Sequence, residues 1–570
     1  PGIVKRFGTI ASKEYRGLGI TTALSPQIDL ATDPRWSRVD GTFGGDPDLS
    51  AAMARAYVDG FQTSEGSAEI EGGWGYESVN AMIKHWPGGG AEEGGRDGHY
   101  DYGKYTVYPG ENFERHLVPF QAAFNLDGPT GSASAVMPYY TISYNQDPYG
   151  LNVGNAYSNY MINSLLRGAH GYDGVVCTDW GITDDRGPRG GWGGGRPWGL
   201  EDIEVGDDVA DLIPGEQEDK DAAGRLVERF YRLVMSGVDQ FGGENEAWPI
   251  LAAYRLGVKR VGERLMRARF ERSAVRLLKN IFRVGLFEDP YLDPERSEEI
   301  LGDPEYMKAG YEAQLKSIVM LKNGTGAGNR VLPLDRSTKV YIPDAFETNA
   351  GGFFPVDEVE ESWYDPVDDA QVSRLFERVD TPGEADAAIV FVDGPIAGRG
   401  EDPEDPLNSY RPISLQYRPY TAEGTHTVTG RSYEGRTVTT HNEKELDLIL
   451  DTVESMGDKP VIVLMRLENP AVVNEFEAEV EGLVVHFGIS NQALLDIVSG
   501  SAEPSGLLPF QMPEDMLTVE QQFEDVGRDM EPHVDEAGNE YDFAFGLNWN
   551  GPIRDGRYQQ YFREEQLTGK

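Results

Sequence analysis

The sequence predicts an α/β protein of two domains, and three observations carry that reading. Through roughly residues 1–290, short apolar runs alternate with amphipathic stretches, the pattern of repeated β then α units around a parallel sheet. A long helical region, from about Asp219 to Val284, keeps Arg and Lys on its polar face and stops at Gly285 and the turn Glu288-Asp289-Pro290. A second βα pattern then runs from about Met307 to Asn550. The expected division is a first domain at 1–290, a linker at 291–310, a second domain at 311–550 and a tail at 551–570.

In the first domain the expected strands are Gly19 to Pro26, Ala81 to Lys84, Ala133 to Tyr140 and Gly174 to Thr178. Leu49 to Phe61, Asn112 to Asn125 and Asn155 to Gly168 are the helices between them. Such a sheet is either open or closed into a barrel. In both cases chemistry sits at the carboxyl ends of the strands, and these strands end in Lys84-His85, Tyr139-Tyr140 and Thr178-Asp179-Trp180. In the second domain Val340 to Ile342, Ala387 to Val392, Val461 to Leu464 and Gly482 to His486 are short β-branched runs, and Glu443 to Met456 is the clearest helix. A long insertion at 393–440 has much Pro, Gly, Tyr and charge and little periodicity, which marks it as functional or disordered.

Composition narrows the function classes. The chain carries 51 basic and 96 acidic side chains, a formal net charge of −45, the wrong sign for a phosphate-backbone partner. It would also be repelled by anionic membrane surfaces, and no run approaches the ~18 apolar residues of a spanning helix. The expectation is a soluble protein with neither nucleic acid nor membrane as partner. A single cysteine, Cys177, excludes an intramolecular disulfide and a cysteine-based metal cluster. The chain opens at Pro1-Gly2 without an initiator Met, as though something had been removed.

Three segments could carry chemistry, each with a plainer reading beside it. Gly174 to Trp180 delivers a carboxylate and an indole to one point: Asp179 is placed to act as a nucleophile under a sugar stacked on Trp180, or it caps the next helix. Lys84-His85-Trp86-Pro87-Gly88 offers two polar groups for vicinal hydroxyls, or a surface Lys and a satisfied His. Asp33 to Ser37, with Arg38 next, presents two guanidiniums that could clamp a hydroxyl or carboxylate, while Arg35 could equally be a buried tie within its loop.

Together these segments resemble glycoside hydrolase family 3, the β-glucosidase-like enzymes. The resemblance continues in order through Ser236-Gly237-Val238-Asp239, Gly285 to Tyr291, Ser317 to Asn323 with Leu332-Pro333-Leu334, Glu503 to Pro509, and Phe543 to Trp549. It implies a (β/α)8-type barrel followed by an α/β sandwich, and a retaining exo-acting β-glycosidase: a β-glucosidase that removes terminal non-reducing β-D-glucosyl residues. A β-xylosidase or β-N-acetylglucosaminidase of the same family is the alternative, and a non-catalytic sugar-binding relative is the rival from outside catalysis. By the resemblance Asp179 falls on the nucleophile, Arg38, Lys84 and His85 on residues that grip the sugar, Trp180 on the aromatic lining the pocket, and Tyr140 near a Tyr that steadies the nucleophile. The family's opening barrel strand, with a further sugar-binding Asp, is expected to be missing, since Ile3 to Ile20 already resembles a later part of the domain.

The general acid/base is where the pattern departs. The family draws it from the second domain, and the positions that correspond here are Gly398 and Arg399, neither of which can donate a proton at neutral pH. Glu404, then Glu401, then Glu423 are the candidates in the insertion, with Glu434 deeper in it. Members acting on N-acetylglucosaminides use a barrel-loop His held by an Asp two residues earlier, and Asp97-Gly98-His99 makes His99 the alternative acid/base. No cofactor is required, no metal ligand set is expected, and a Ca²⁺ on an acidic loop would be structural. The insertion is the segment that would reach a neighbouring subunit in a homodimer. A periplasmic or secreted location is expected.

Overall fold

The computed structural model describes residues 1–100, 102–185, 197–215, 217, 219–324, 330–349, 360–398, 400, 411–424, 428–430 and 432–561. They form two compact units: residues 1–30, 47–93 and 97–303, and residues 31–46, 94–96 and 304–570.

In the first unit four strands lie side by side in chain order, β1 (Thr22–Ala23), β2 (Asn80–Trp86), β3 (Ala135–Pro138) and β4 (Val175–Val176). All are parallel, and a parallel bridge from Cys177 to Gln240 continues the arc. β2 is buried at every position but Lys84, as a strand covered on both faces must be. The described strands are shorter than their apolar runs suggest, because the runs continue into the polar loops at the strand ends.

Helices return the chain between the strands. Pro47–Gln62 lies between β1 and β2, and Phe113–His116 with Val118–Phe124 lies between β2 and β3. Between β3 and β4 the chain forms a 3₁₀ turn, Asn155–Tyr157, then a π-wound segment, Tyr160–Ala169. The helical region at 219–284 is not continuous: it is three helices, Lys220–Ser236, Trp248–Val261 and Glu263–Arg283. The first stops where Gly237 turns left-handed at φ 114°. That break frees Val238 to Gln240 to join the parallel arc. One further helix, Gly2–Gly17, stands where no element was expected.

The second unit is built on an eight-stranded sheet: β5 (Val319–Asn323), β6 (Lys339–Tyr341), β7 (Glu377–Val379), β8 (Ala387–Asp393), β9 (Val461–Arg466), β10 (Gly482–His486), β11 (Leu547–Asn548) and β12 (Gly551–Pro552). Their order is β7-β6-β8-β9-β10-β5-β11-β12, parallel as far as β10 and antiparallel beyond it. The central strands β8, β9 and β10 are continuous apolar runs, and Ile389, Val390, Val463, Leu464, Val484 and Val485 are fully buried. The helix Glu443–Met456 falls where its periodicity predicts. Within the insertion, Tyr420–Thr421 and Thr437–Val438 pair as a short antiparallel ribbon. No described helix is long and apolar enough to cross a membrane.

Candidate active site

The carboxyl ends of the four parallel strands of the first unit bring together Asp29, Lys84, His85, Tyr139, Tyr140, Asp179 and Trp180. The loop after β2 adds Glu92, Asp97 and His99.

Asp179 follows β4 and is 7 % exposed. Its Oδ1 accepts the Trp180 backbone N–H at 2.8 Å. No helix starts there, since residues 180–183 form a turn, so the capping reading of Asp179 fails. Its Oδ2 is buried and accepts no hydrogen bond among the described residues. Two imidazoles face that oxygen, His99 Nε2 at 3.7 Å and His85 Nε2 at 3.9 Å.

Each imidazole is braced from behind by a carboxylate. Asp29 Oδ2 lies 2.8 Å from His85 Nδ1, while its Oδ1 accepts the backbone N–H groups of His85 at 3.0 Å and Gly89 at 2.7 Å. Asp97 Oδ1 lies 2.6 Å from His99 Nδ1 and accepts the His99 backbone N–H at 2.8 Å. With a carboxylate accepting at Nδ1, the proton of the neutral ring sits there and Nε2 is the lone-pair nitrogen turned toward Asp179. Tyr139 packs against both rings, its centroid 4.6 Å from that of His85 and 5.6 Å from that of His99, whose own centroids stand 5.7 Å apart.

Beneath the second dyad lies Glu92, fully buried, whose Oε1 accepts the N–H of Gly98 at 2.9 Å. Burial, with the charge of Asp97 close by, pushes its carboxyl well above the usual range. Burial and the charge of Asp179 likewise push the Cys177 thiol up to about 12, which removes it as a thiolate nucleophile at neutral pH.

The remaining expected residues divide. Lys84 is half-buried on the same strand end, where its carbonyl accepts the Ile28 N–H at 2.7 Å. Tyr140 donates its hydroxyl proton to the Trp180 carbonyl at 2.6 Å, which fixes the residue beside the nucleophile. The half-buried Trp180 ring packs on Gly242 and Gly243, where a Cβ would stand 2.8 and 2.5 Å from ring atoms. Arg38 is half-buried in the segment 31–46, which belongs to the second unit. Arg35 is the buried tie that its plainer reading describes: its Nε and Nη2 bond both oxygens of Asp33 at 2.9 and 2.6 Å, and its Nη1 donates to Tyr433 at 2.5 Å.

In the insertion Glu423 is exposed and its backbone N–H donates to Glu520 at 3.2 Å; Glu434 is also exposed. Glu401, Glu404 and Arg399 lie outside the described residues. Two residues of the site escaped the sequence reading. Asp29 stands three residues past the end of an expected strand, a placement comparable to that of Asp179, and was legible by the same rule. Glu92 carries no signal of its own, because only the return of its loop places it under Gly98.

The family model "Glycosyl hydrolase family 3 N terminal domain" matches residues 1–190, and "Glycosyl hydrolase family 3 C-terminal domain" matches 318–549. The chain belongs to glycosyl hydrolase family 3. Among curated relatives, a periplasmic beta-glucosidase/beta-xylosidase from Dickeya chrysanthemi is 31 % identical over 562 residues, covering 96 % of this chain and 70 % of the relative. Beta-glucosidase C from Emericella nidulans is 31 % identical over 546 residues, covering 95 % of this chain and 72 % of the relative. The fold matches the crystal structure of a beta-glucosidase from Listeria innocua in complex with isofagomine, with a TM-score of 0.64 at 19 % identity, covering 96 % of this chain and 69 % of that one. This family 3 chain is thus a glycoside hydrolase, with the barrel-plus-sandwich class of fold that its motifs imply.

Proposed function

We propose that the chain is a retaining, exo-acting β-glucosidase in which Asp179 is the nucleophile and His99 the general acid/base. The observation that carries the proposal is the buried Asp179 Oδ2 faced by two carboxylate-braced imidazoles. Asp179 Oδ2 attacks the anomeric carbon as the glycosidic C–O bond breaks and the His99 imidazolium gives its Nε2 proton to the departing oxygen, which forms a covalent glycosyl-enzyme, releases the aglycone and inverts the centre once. Water, deprotonated by His99, releases the sugar and inverts it again. An anomeric carbon in attack range of Oδ2, at about 3 Å, can carry its glycosidic oxygen within hydrogen-bond reach of His99 Nε2. Asp97 orients that ring and stabilises its imidazolium, while His85 and Lys84 bind sugar hydroxyls and Trp180 offers an apolar face. The curated relatives named above supply the glucoside preference, and the Dickeya relative's double name keeps β-xylosides in the test. The same relative's name supports a periplasmic or secreted location.

A panel of aryl β-glycosides with Asp179→Ala as the control tests the reading. Turnover should fall by at least about a thousandfold with the fold intact, and NMR should show the β-anomer of the released sugar first. An active Asp179→Ala enzyme, or the α-anomer first, overturns it. For the acid/base, His99→Ala should still be glycosylated by a dinitrophenyl glycoside, should fail on cellobiose-like substrates, and should be rescued by azide. Azide rescue of Glu404→Ala, Glu401→Ala or Glu423→Ala in place of His99→Ala would move the proton donor to the insertion.

A further inference from the structure

His85, His99 and Asp179 are all buried, and one ligating atom from each lies within 4.8 Å of the other two. Those atoms are the two Nε2 nitrogens and Asp179 Oδ2, separated from that oxygen by 3.9 and 3.7 Å. Two imidazole nitrogens and a carboxylate oxygen are a set that Zn²⁺ accepts in three positions, with water in the fourth. Metal–ligand bonds of about 2.0–2.2 Å in a tetrahedral site put neighbouring ligand atoms about 3.3 Å apart. Small rotations of Asp179 and the two rings bring the observed separations to that value.

What distinguishes this cluster from an incidental meeting of polar groups is its outer shell. A metal-binding His almost always donates its other ring N–H to a carboxylate or carbonyl, which fixes the tautomer and raises the basicity of the ligating nitrogen. Both imidazoles have that partner here, Asp29 behind His85 at 2.8 Å and Asp97 behind His99 at 2.6 Å. The two rings stand nearly perpendicular, at 76°, so their nitrogens converge from different directions. The features that prepare this pocket for a sugar also prepare it for a cation.

We infer that the catalytic pocket is a His₂Asp site for a borderline-soft divalent ion, Zn²⁺ being the representative, and that the ion and the glycoside exclude each other. The ion would occupy Asp179 Oδ2 and His99 Nε2, the atoms proposed above to attack the anomeric carbon and to move the proton. It therefore acts as a competitive inhibitor, not as a cofactor. Hard cations are not equivalent: Ca²⁺ and Mg²⁺ call for six or more oxygen ligands and gain little from two imidazoles.

The test is direct binding of Zn²⁺ to the full chain by calorimetry, with Mg²⁺ in excess to occupy the many exposed carboxylates. One tight site per chain is expected. It should be lost, by at least tenfold in Kd, in His85→Ala and in His99→Ala, and weakened about 10- to 100-fold in Asp97→Asn through the outer shell. Co²⁺ bound to the unaltered protein should show the visible absorption of a four- or five-coordinate nitrogen and oxygen site, a readout that needs no variant. Zn²⁺ should raise KM for an aryl glycoside without lowering kcat. Equal Zn²⁺ affinity in the wild type and the His85→Ala/His99→Ala double variant, displacement of Zn²⁺ by Ca²⁺, or a fall in kcat at unchanged KM each overturns the inference. Because binding is read by heat and colour, the inference can fail while the glycosidase reading stands, and the reverse.

Discussion

Both units bury carboxyl groups, and in each the supply of N–H donors differs from one buried acid to the next. In the first unit Asp29 takes three N–H donors, two from the backbone and one from His85. In the second unit Glu524 is just as dry but accepts the Gly94 N–H only at 3.3 Å, and burial pushes it up to about 7. Asp33, by contrast, is saturated by the Arg35 fork. At the same depth these acids differ in how many donors they receive and how close those donors stand.

The largest effect should come from removing a donor-saturated acid. Asp29→Asn keeps the size but presents an amide where His85 Nδ1 needs an acceptor, which turns the ring to the wrong tautomer. Loss of kcat/KM of at least about 10²-fold is expected, because a misoriented His85 no longer meets the sugar hydroxyl in the productive geometry. A variant within tenfold of the wild type would break the comparison. Next comes Arg35→Ala, which strands Asp33 in a dry site. A loss of about 3–5 kcal/mol in denaturant unfolding is expected.

A smaller, pH-dependent effect belongs to Glu524. Its folded pKa is raised above the ordinary carboxyl value, so the stability it contributes is full below about pH 4.5 and is lost as pH rises through about 7. Glu524→Gln should flatten that loss, which amounts to roughly 3 kcal/mol between pH 5 and 9. Unfolding midpoints measured across that range decide it, and identical slopes in both proteins would contradict the donor argument. The smallest effect is expected at Glu92. Burial raises its pKa and so favours the uncharged form, and Glu92→Gln should preserve the Gly98 contact and change kcat by less than about threefold. Glu92→Ala should do more, with kcat at least about tenfold lower, by leaving that N–H unpaired.

Patterns along the chain are enough for the α/β class, for the parallel strands with polar ends, and for Asp179, His85, Trp180 and Tyr140 at those ends. Strand periodicity and apolar runs are local properties, and a strand's carboxyl end is legible wherever the run stops. The motifs also determined the family. The rest follows from how the folded chain packs. That packing broke the 219–284 helix into three, because the left-handed turn at Gly237 answers to the strand position that Gln240 takes beside Cys177. It placed segment 31–46, which follows the first strand in sequence, within the second unit. It brought His99 within 3.7 Å of Asp179, although 80 residues separate them in sequence, and set a carboxylate behind each imidazole. Distances between strand-end loops depend on how the parallel arc turns each loop over its neighbour, and no pattern along the chain records that rotation.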